Sequence, residues 1–238
     1  MDGKEKNVIA LDGPAGSGKS SVARVLAERL GFVHADSGAI YRLATLALME
    51  KIGPGENPEG FGVALAREEI DFSELACEVV LEDSRQSNRI RGRDAGDEIR
   101  TPEVTSRIRF IADNPRYREA VNGLLRSFSR HTDLVADGRD IGTEVFPNAA
   151  AKFFLTASSR VRAERRLGEF IEKGMLSAEQ AQEKLPQLEE EIKRRDAEDE
   201  ARPIGALRRA PDAILIDTSN MDLNAVVSAL LSYSQIQF

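Results

Sequence analysis

The run GPAGSGKS, from Gly13 to Ser20, has the residue types and the spacing G-x-x-x-x-G-K-[ST] of a loop that cradles phosphates. Glycines let backbone N–H groups point at a phosphate without a Cβ in the way, and the start of a following helix adds partial positive charge. Lys19 is placed to reach the β- and γ-phosphates, and the Ser20 hydroxyl to ligate Mg²⁺. The motif predicts a nucleoside triphosphate site. Its expected residues are Gly13, Pro14, Ala15, Gly16, Ser17, Gly18, Lys19, Ser20 and Ser21.

Other signatures narrow the class of phosphate-loop protein. A GTPase switch needs N-K-x-D to read guanine and D-x-x-G to sense the γ-phosphate, and an ABC-type ATPase needs L-S-G-G-Q. The sequence contains none of these. Downstream it carries several blocks with arginine, which suit phosphoryl transfer because that transition state spreads negative charge over oxygen atoms. A phosphoryl-transfer enzyme is therefore favoured over a switch or a motor.

The phosphate loop and four later blocks, in order and over nearly the whole chain, resemble the bacterial cytidylate kinases. The blocks are Asp36–Arg42 (DSGAIYR), Glu98–Val104 (EIRTPEV), Asp137–Thr143 (DGRDIGT) with Val145–Pro147, and Arg194–Asp196 followed by Asp199 and Arg202. The resemblance implies transfer of the γ-phosphoryl group of ATP to CMP or dCMP, with Mg²⁺ as cofactor. It also implies a monomer, which is the usual state in that family.

The same resemblance assigns roles to individual residues. The implied CMP-binding residues are Ser37, Tyr41, Arg42, Arg118, Arg139, Asp140, Arg195, Asp199 and Arg202. The implied catalytic residues are Lys19, Arg139, Arg195 and Arg202, whose positive charges suit the transferred phosphoryl group. Asp36 and Asp137 are expected to hold Mg²⁺ through water beside Ser20. Asp140 and Asp199 suit cytosine and sugar because carboxylates accept from amino and hydroxyl groups.

Several alternatives stay open. Arg109 stands where the family often has a serine near the cytosine, so either this helix is shifted or Arg118 and the acids hold the base alone. Arg160, Arg162, Arg165 and Arg166 either join the phosphate clamp or form a solvated helix face. UMP, or a small metabolite of the kind that shikimate kinase phosphorylates, is the alternative acceptor. A third hypothesis is a nucleotide-binding module that does not catalyse a reaction.

The elements that must position these residues follow an alternating pattern. The apolar run Val8–Leu11 predicts a buried strand before the loop, and Ser20–Leu30 has apolar residues at helical spacing. Four more strands are predicted, at Phe32–Ala35, Leu134–Ala136, Lys152–Leu155 and Ala213–Ile216. Strands that alternate with helices indicate an α/β phosphate-loop fold, with a five-stranded parallel sheet flanked by helices.

We expect one kinase domain over residues 1–238, with a small monophosphate-binding insertion at about 53–100 and a helical lid at about 158–202. The Gly- and Pro-rich segment Gly53–Gly62 is predicted to be a loop, followed by a helical stretch over Val63–Ile70. The charged stretch Ser177–Ala201 is predicted to be helical, with a bend or a break at Pro186.

Composition limits the partners and the setting. The 41% apolar content is enough for a core, while no apolar run reaches the ~18 residues of a membrane span. The net charge of −7 argues against nucleic acid as a partner, although Arg85–Arg139 holds 12 Arg and no Lys. Cys77 is the one cysteine and Met1–Lys6 is polar, so the sequence predicts a cytoplasmic protein without a secretory signal.

Overall fold

The computed structural model describes residues 7–68, 70–82 and 85–233. Residues 69, 83 and 84 of the predicted insertion, the polar start Met1–Lys6 and residues 234–238 lie outside these ranges. Within them the α-helices are α1 (Lys19–Leu30), α2 (Ser37–Ile52), α3 (Pro58–Leu65), α4 (Pro102–Ala112), α5 (Pro115–Phe128), α6 (Ser159–Glu172), α7 (Ala178–Glu200) and α8 (Leu223–Ser232). The strands are β1 (Val8–Asp12), β2 (Val33–Asp36), β3 (Cys77–Glu82), β4 (Arg85–Ile90), β5 (Arg93–Asp94), β6 (Leu134–Gly138), β7 (Ala151–Thr156) and β8 (Ile214–Asp217).

The five predicted strands form one parallel sheet, which confirms the predicted fold class. Its order is β2-β6-β1-β7-β8. Every residue of β1 and of β6 is buried, as expected for apolar strands inside a sheet that is covered on both faces. In β8, at the end of this order, Leu215 is half exposed. The apolar runs therefore mark the strands, and position in the sheet decides how deeply each is buried.

The chain divides into two compact units. The phosphate-loop unit consists of the described residues of Val8–Leu26 and Asp137–Phe238, and the small-sheet unit consists of those of Met1–Asn7 and Ala27–Ala136. The small-sheet unit contains an antiparallel sheet of order β3-β4-β5, which lies within the predicted insertion. Helices α6 and α7, in the phosphate-loop unit, lie within the predicted lid.

Two local predictions are wrong. The predicted loop Gly53–Gly62 contains the start of α3, because Asn57 accepts a hydrogen bond from the N–H of Gly60 and Pro58 takes the first helical position. The helix then ends at Leu65 rather than at Ile70. Helix α7 runs through Pro186 without interruption, so the predicted break is wrong, while the alternative of a bend stays a prediction. Apolar residues on both sides of this proline pack α7 against α6, and that packing holds the helix together where one backbone hydrogen bond is missing; they include Ala181, Leu185 and Ile192.

Candidate functional site

The phosphate loop of the phosphate-loop unit joins the end of β1 to the start of α1. Gly13, Gly16 and Gly18 all have positive φ, a conformation that favours glycine. A Cβ on Gly13 would lie 2.0 Å from the carbonyl oxygen of Leu155, so no other residue fits there without moving the backbone. The loop therefore has the shape that the motif predicts, with its end at the N-terminus of a 12-residue helix.

Side chains of the loop bring together the groups that a magnesium nucleotide needs. Lys19 is buried, and its Nζ donates to the carbonyl oxygen of Pro14 at 3.2 Å. The Ser20 hydroxyl donates to Oδ2 of Asp137 at 2.6 Å, so a hydroxyl and a carboxylate meet at the start of α1. The buried Ser17 hydroxyl has no hydrogen-bond partner in the described part of the chain. Buried hydroxyls are normally satisfied, so this atom indicates an absent polar group.

Asp12, the last residue of β1, supports the segment that carries Arg139 and Asp140. Its two carboxylate oxygens accept from the backbone N–H groups of Ile141 and Gly142 at 2.8 and 2.7 Å. Burial raises the pKa of Asp12 to about 6, the two N–H groups oppose this rise, and the nearby Asp140 carboxylate adds to it. The Asp140 side chain makes no capping hydrogen bond to the turn that follows it, because Asp12 takes that position.

Three of the predicted CMP-binding residues gather around a fourth, the buried carboxylate of Asp199. Asp199 accepts from Nε of Arg139 at 2.9 Å, and Nη2 of Arg202 lies 2.8 Å from its other oxygen. Burial lowers the pKa of Arg195, and Arg139, Arg166 and Arg202 lower it further while Asp199 opposes them. Several guanidinium groups thus share a single carboxylate, an excess of positive charge that suits a phosphate.

The arginines of α6 have different environments. Arg160 is exposed and pairs with Glu164 one turn away at 3.0 Å, as on a solvated helix face. Arg162 is buried: its Nε donates to the carbonyl of Ala157, and its Nη1 donates to the carbonyl of Ala15 at 3.0 Å.

Arg162 also forms a two-pronged ion pair with Asp196 of α7. Arg165 donates to the hydroxyl and the carbonyl of Thr218 at 3.1 and 2.6 Å, and the Thr218 hydroxyl donates to the carbonyl of Ser17. Arg166 lies over the ring of Phe170, with its Cζ 5.8 Å from the centroid. Arg162 thus supports the phosphate loop directly, through the carbonyl of Ala15, and Arg165 supports it indirectly, through Thr218.

In the small-sheet unit, three of the residues predicted to bind CMP, Ser37, Tyr41 and Arg42, follow the end of β2. Asp36 ends that strand and caps α2, since its Oδ1 accepts from the N–H of Ala39 at 2.9 Å. Its Oδ2 lies 3.5 Å from Nη2 of Arg100. Ser37 and Tyr41, both buried, and Arg42 lie in the first two turns of α2. The DSGAIYR block therefore combines a strand end with a capped helix start.

Arg42 and Arg118, which are predicted to bind CMP, both contact other residues of this unit. Nη1 of Arg42 donates to the hydroxyl of Thr105 at 2.6 Å and to the carbonyl of Ile99 at 3.3 Å. Arg118 is buried, with its Cζ 5.7 Å from the centre of the Tyr41 ring. A guanidinium over a tyrosine face is a favourable cation–π arrangement. The fold thus brings Tyr41 and Arg118 together, although they are 77 positions apart in the sequence.

Arg109, the departure from the family pattern, is half exposed. Its Nη2 lies 2.5 Å from Oε1 of Glu59, and its Cζ lies 4.7 Å from the centre of the Phe110 ring. Glu59 belongs to the first turn of α3, within the segment that the sequence predicted to be a loop. The local partners of Arg109 are therefore an acid and an aromatic ring at the surface.

Sequence reasoning missed three residues that support the site, Asp12, Gln86 and Thr218, and it named a fourth, Asp196, only as part of a family block without a role. Gln86 is the clearest case, because its side-chain amide bonds both backbone groups of Asp36. The sequence did contain a signal for Gln86. Side chains alternate between the two faces of β4, and Gln86 is a polar residue on the same face as the buried Ile90. Asp12 had a weaker signal, an acid at the end of an otherwise apolar strand.

No helix within the described ranges combines the length and the apolar character that crossing a membrane requires. Comparison with known proteins matches residues 9–236 to the cytidylate kinase family model. The chain is 40% identical to a cytidylate kinase of Rhodopirellula baltica, over 94% of this chain and 90% of that one. It is 40% identical to that of Desulforamulus reducens (96% and 97% covered) and 38% identical to that of Bacillus cereus (94% and 94% covered).

Proposed function

Because this chain belongs to the cytidylate kinase family, a family of phosphotransferases, we propose that it transfers the γ-phosphoryl group of ATP to CMP or dCMP, giving ADP and CDP or dCDP. The observation that carries this proposal is the group of arginines around Asp199, in the same unit as the phosphate loop. An excess of guanidinium groups at a buried carboxylate suits a small polyanion, and it has no use in a protein that binds only a nucleoside.

On the donor side, residues 13–21 hold the phosphates of ATP. Backbone N–H groups of the loop and Lys19 bind the β- and γ-phosphates, and the unsatisfied Ser17 hydroxyl gains a partner. The meeting of Ser20 with Asp137 fits Mg²⁺, which prefers oxygen ligands and is held by few protein groups besides phosphates. When bound, Mg²⁺ neutralises charge on the transferred phosphoryl group. Asp36 is proposed to hold the ion through water.

On the acceptor side, the proposed ligands of CMP are Ser37, Tyr41, Arg42, Arg118, Arg139, Asp140, Arg195, Asp199 and Arg202. Arg42, Arg139, Arg195 and Arg202 hold the acceptor phosphate and the transition-state charge. Asp140 and Asp199 accept from the sugar hydroxyls or the cytosine amino group. No strong base is required, since the acceptor phosphate is already an anion.

Other expectations stay predictions. They are the single domain with an insertion at 53–100 and a lid at 158–202, the monomeric state, the cytoplasmic location and the lack of a nucleic-acid partner. Closure of the lid would exclude water, which otherwise hydrolyses ATP.

The test is a coupled assay of ADP release with ATP, Mg²⁺ and a panel of acceptors: CMP, dCMP, UMP, AMP and shikimate. We expect CMP or dCMP to give the highest kcat/KM. A clearly better rate with UMP or with shikimate would replace the proposed acceptor. ATP binding without turnover on any acceptor would show a nucleotide-binding module instead of a kinase.

A further inference from the structure

Strand β4 carries polar side chains on a face that is otherwise apolar. Opposite positions in the β3–β4 pairing put Gln86 and Asn88 on the same face as Ile90, Cys77 and Val79. Ile90 is 2% exposed and Asn88 is 7% exposed. Burying an amide costs free energy unless hydrogen bonds compensate it, so an amide at a core position of a small sheet needs a partner.

The Gln86 amide makes three hydrogen bonds, donating two and accepting one. Its Oε1 accepts from the backbone N–H of Asp36 at 2.8 Å, and its Nε2 donates to the backbone carbonyl of the same residue at 3.3 Å. Nε2 also donates to Oδ1 of Asn88 at 2.8 Å, which fixes the orientation of the amide. The side chain thus pairs with Asp36 as the backbone of a neighbouring strand would.

Asp36 is the residue on which the start of α2 depends. Its carboxylate caps the helix at Ala39, and the next residues along the helix include Ser37 and Tyr41. We call Asp36, Ser37, Gln86 and Asn88 the Asp36 corner. A shift of the Asp36 backbone would move the helix start, and with it the side chains proposed to bind CMP.

We propose that Gln86 is a positioning residue for the acceptor site: through the backbone of Asp36 it ties the small sheet to the start of α2, and so sets where Ser37 and Tyr41 meet CMP. This inference rests on the proposed function for its substrate, but not for the contact itself. It also gives the small sheet a role, which is to hold the start of α2 in place through Asp36.

Two substitutions separate hydrogen bonding from volume. Gln86→Leu has a similar size and removes all three hydrogen bonds. Gln86→Glu retains one acceptor oxygen but loses both donors, and it places a negative charge against the carbonyl of Asp36. Arg89→Gln on the same strand is the matched control, because Arg89 is exposed on the opposite face.

For both Gln86 variants we expect KM for CMP to rise about tenfold, with kcat and KM for ATP changed less than about twofold. Arg89→Gln should keep the wild-type KM for CMP. A role in stability alone would lower the melting temperature or the active fraction without this selective rise. A KM for CMP within about twofold of wild type in Gln86→Leu would overturn the inference.

Hydrogen exchange gives a readout that does not depend on activity. The N–H groups of Asp36 and Ala39 should exchange faster in Gln86→Leu than in wild type, while those of α4 stay unchanged. Unchanged exchange at both positions would also overturn the inference. If the wild-type enzyme fails to phosphorylate CMP, the proposed function fails, and the exchange experiment still decides whether Gln86 holds Asp36.

Discussion

Neighbours in the sequence build the phosphate loop, whereas residues far apart in the chain build the Asp36 corner. Eight consecutive residues supply the glycines, the lysine and the serine of the loop, and the positive φ angles of its glycines give the loop its shape. At the Asp36 corner, the decisive bonds join Asp36 to Gln86, 50 positions later. A motif can name the residues that form a site of the first kind, although distant residues such as Arg162 support it, while a site of the second kind is formed only by tertiary packing.

The comparison predicts that a change in the loop acts on ATP, and that a change in the Asp36 corner acts on CMP. The first would be large, because loop groups touch the transferred phosphoryl group. The second would be smaller and selective, because Gln86 acts through the backbone of another residue. The substitutions below test this difference, in order of expected effect.

Lys19→Ala should have the largest effect. Loss of one charged group at the transferred phosphoryl group costs on the order of 10²–10³ in kcat. We expect the affinity for ATP–Mg²⁺ to fall as well, while CMP binding measured by calorimetry stays close to wild type. Lys193→Ala is the control, because Lys193 is an exposed lysine in the same unit, paired with Glu189 and Glu190. Wild-type ATP affinity in Lys19→Ala would show that the loop does not hold the triphosphate.

Arg162→Met tests whether the loop is as local as its motif suggests. The change removes a buried ion pair with Asp196 and a donor to the carbonyl of Ala15, and we expect it to lower the free energy of unfolding by about 2–3 kcal/mol. KM for ATP should rise with it, because Ala15 lies within the loop. Urea unfolding and the coupled assay measure the two effects. Arg160→Met on the same helix is the control; equal effects in both variants would rule out this role for Arg162.

The carboxyl of Asp12 should make stability depend on pH. Its pKa in the folded protein, about 6, lies above its ordinary value of 3.8, so the folded chain binds the extra proton between about pH 4 and 6. Stability from this group is therefore lost as pH rises through that window. Relative to Asp12→Asn, wild type should lose about 2–3 kcal/mol of unfolding free energy between pH 4 and 7.

Urea unfolding of both proteins at half-unit steps of pH measures this difference. A difference that does not change with pH would mean that Asp12 titrates normally. Asp12→Asn removes the titration but leaves one carbonyl oxygen to accept from Ile141 or Gly142. The variant is thus expected to fold, with weaker support for the segment that carries Arg139 and Asp140.

The sequence predicted the sheet, most helices and the phosphate loop because each depends on local pattern: apolar runs, helical spacing and glycines at fixed positions. It missed Asp12 and Thr218 because their partners are 130 and 201 positions away. A local sequence pattern cannot show which distant residue a side chain will contact. It placed the start of α3 too late because glycine and proline suggest a loop, while one cap residue and a proline at the first turn start a helix there.

Arg109→Ser should have the smallest effect, and it tests whether position 109 contributes to the binding of CMP. The ion pair of Arg109 with Glu59 is exposed on both partners, so its loss should cost less than about 1 kcal/mol of stability. The serine restores the residue common in the family near the cytosine. If Arg118 and the acids hold the base without help, KM for CMP should stay within about threefold of wild type, with Arg116→Ser as the exposed control. A fall of tenfold or more in KM would show instead that a serine here gains a contact with the base, and that the Arg109–Glu59 pair is what keeps this chain from making it.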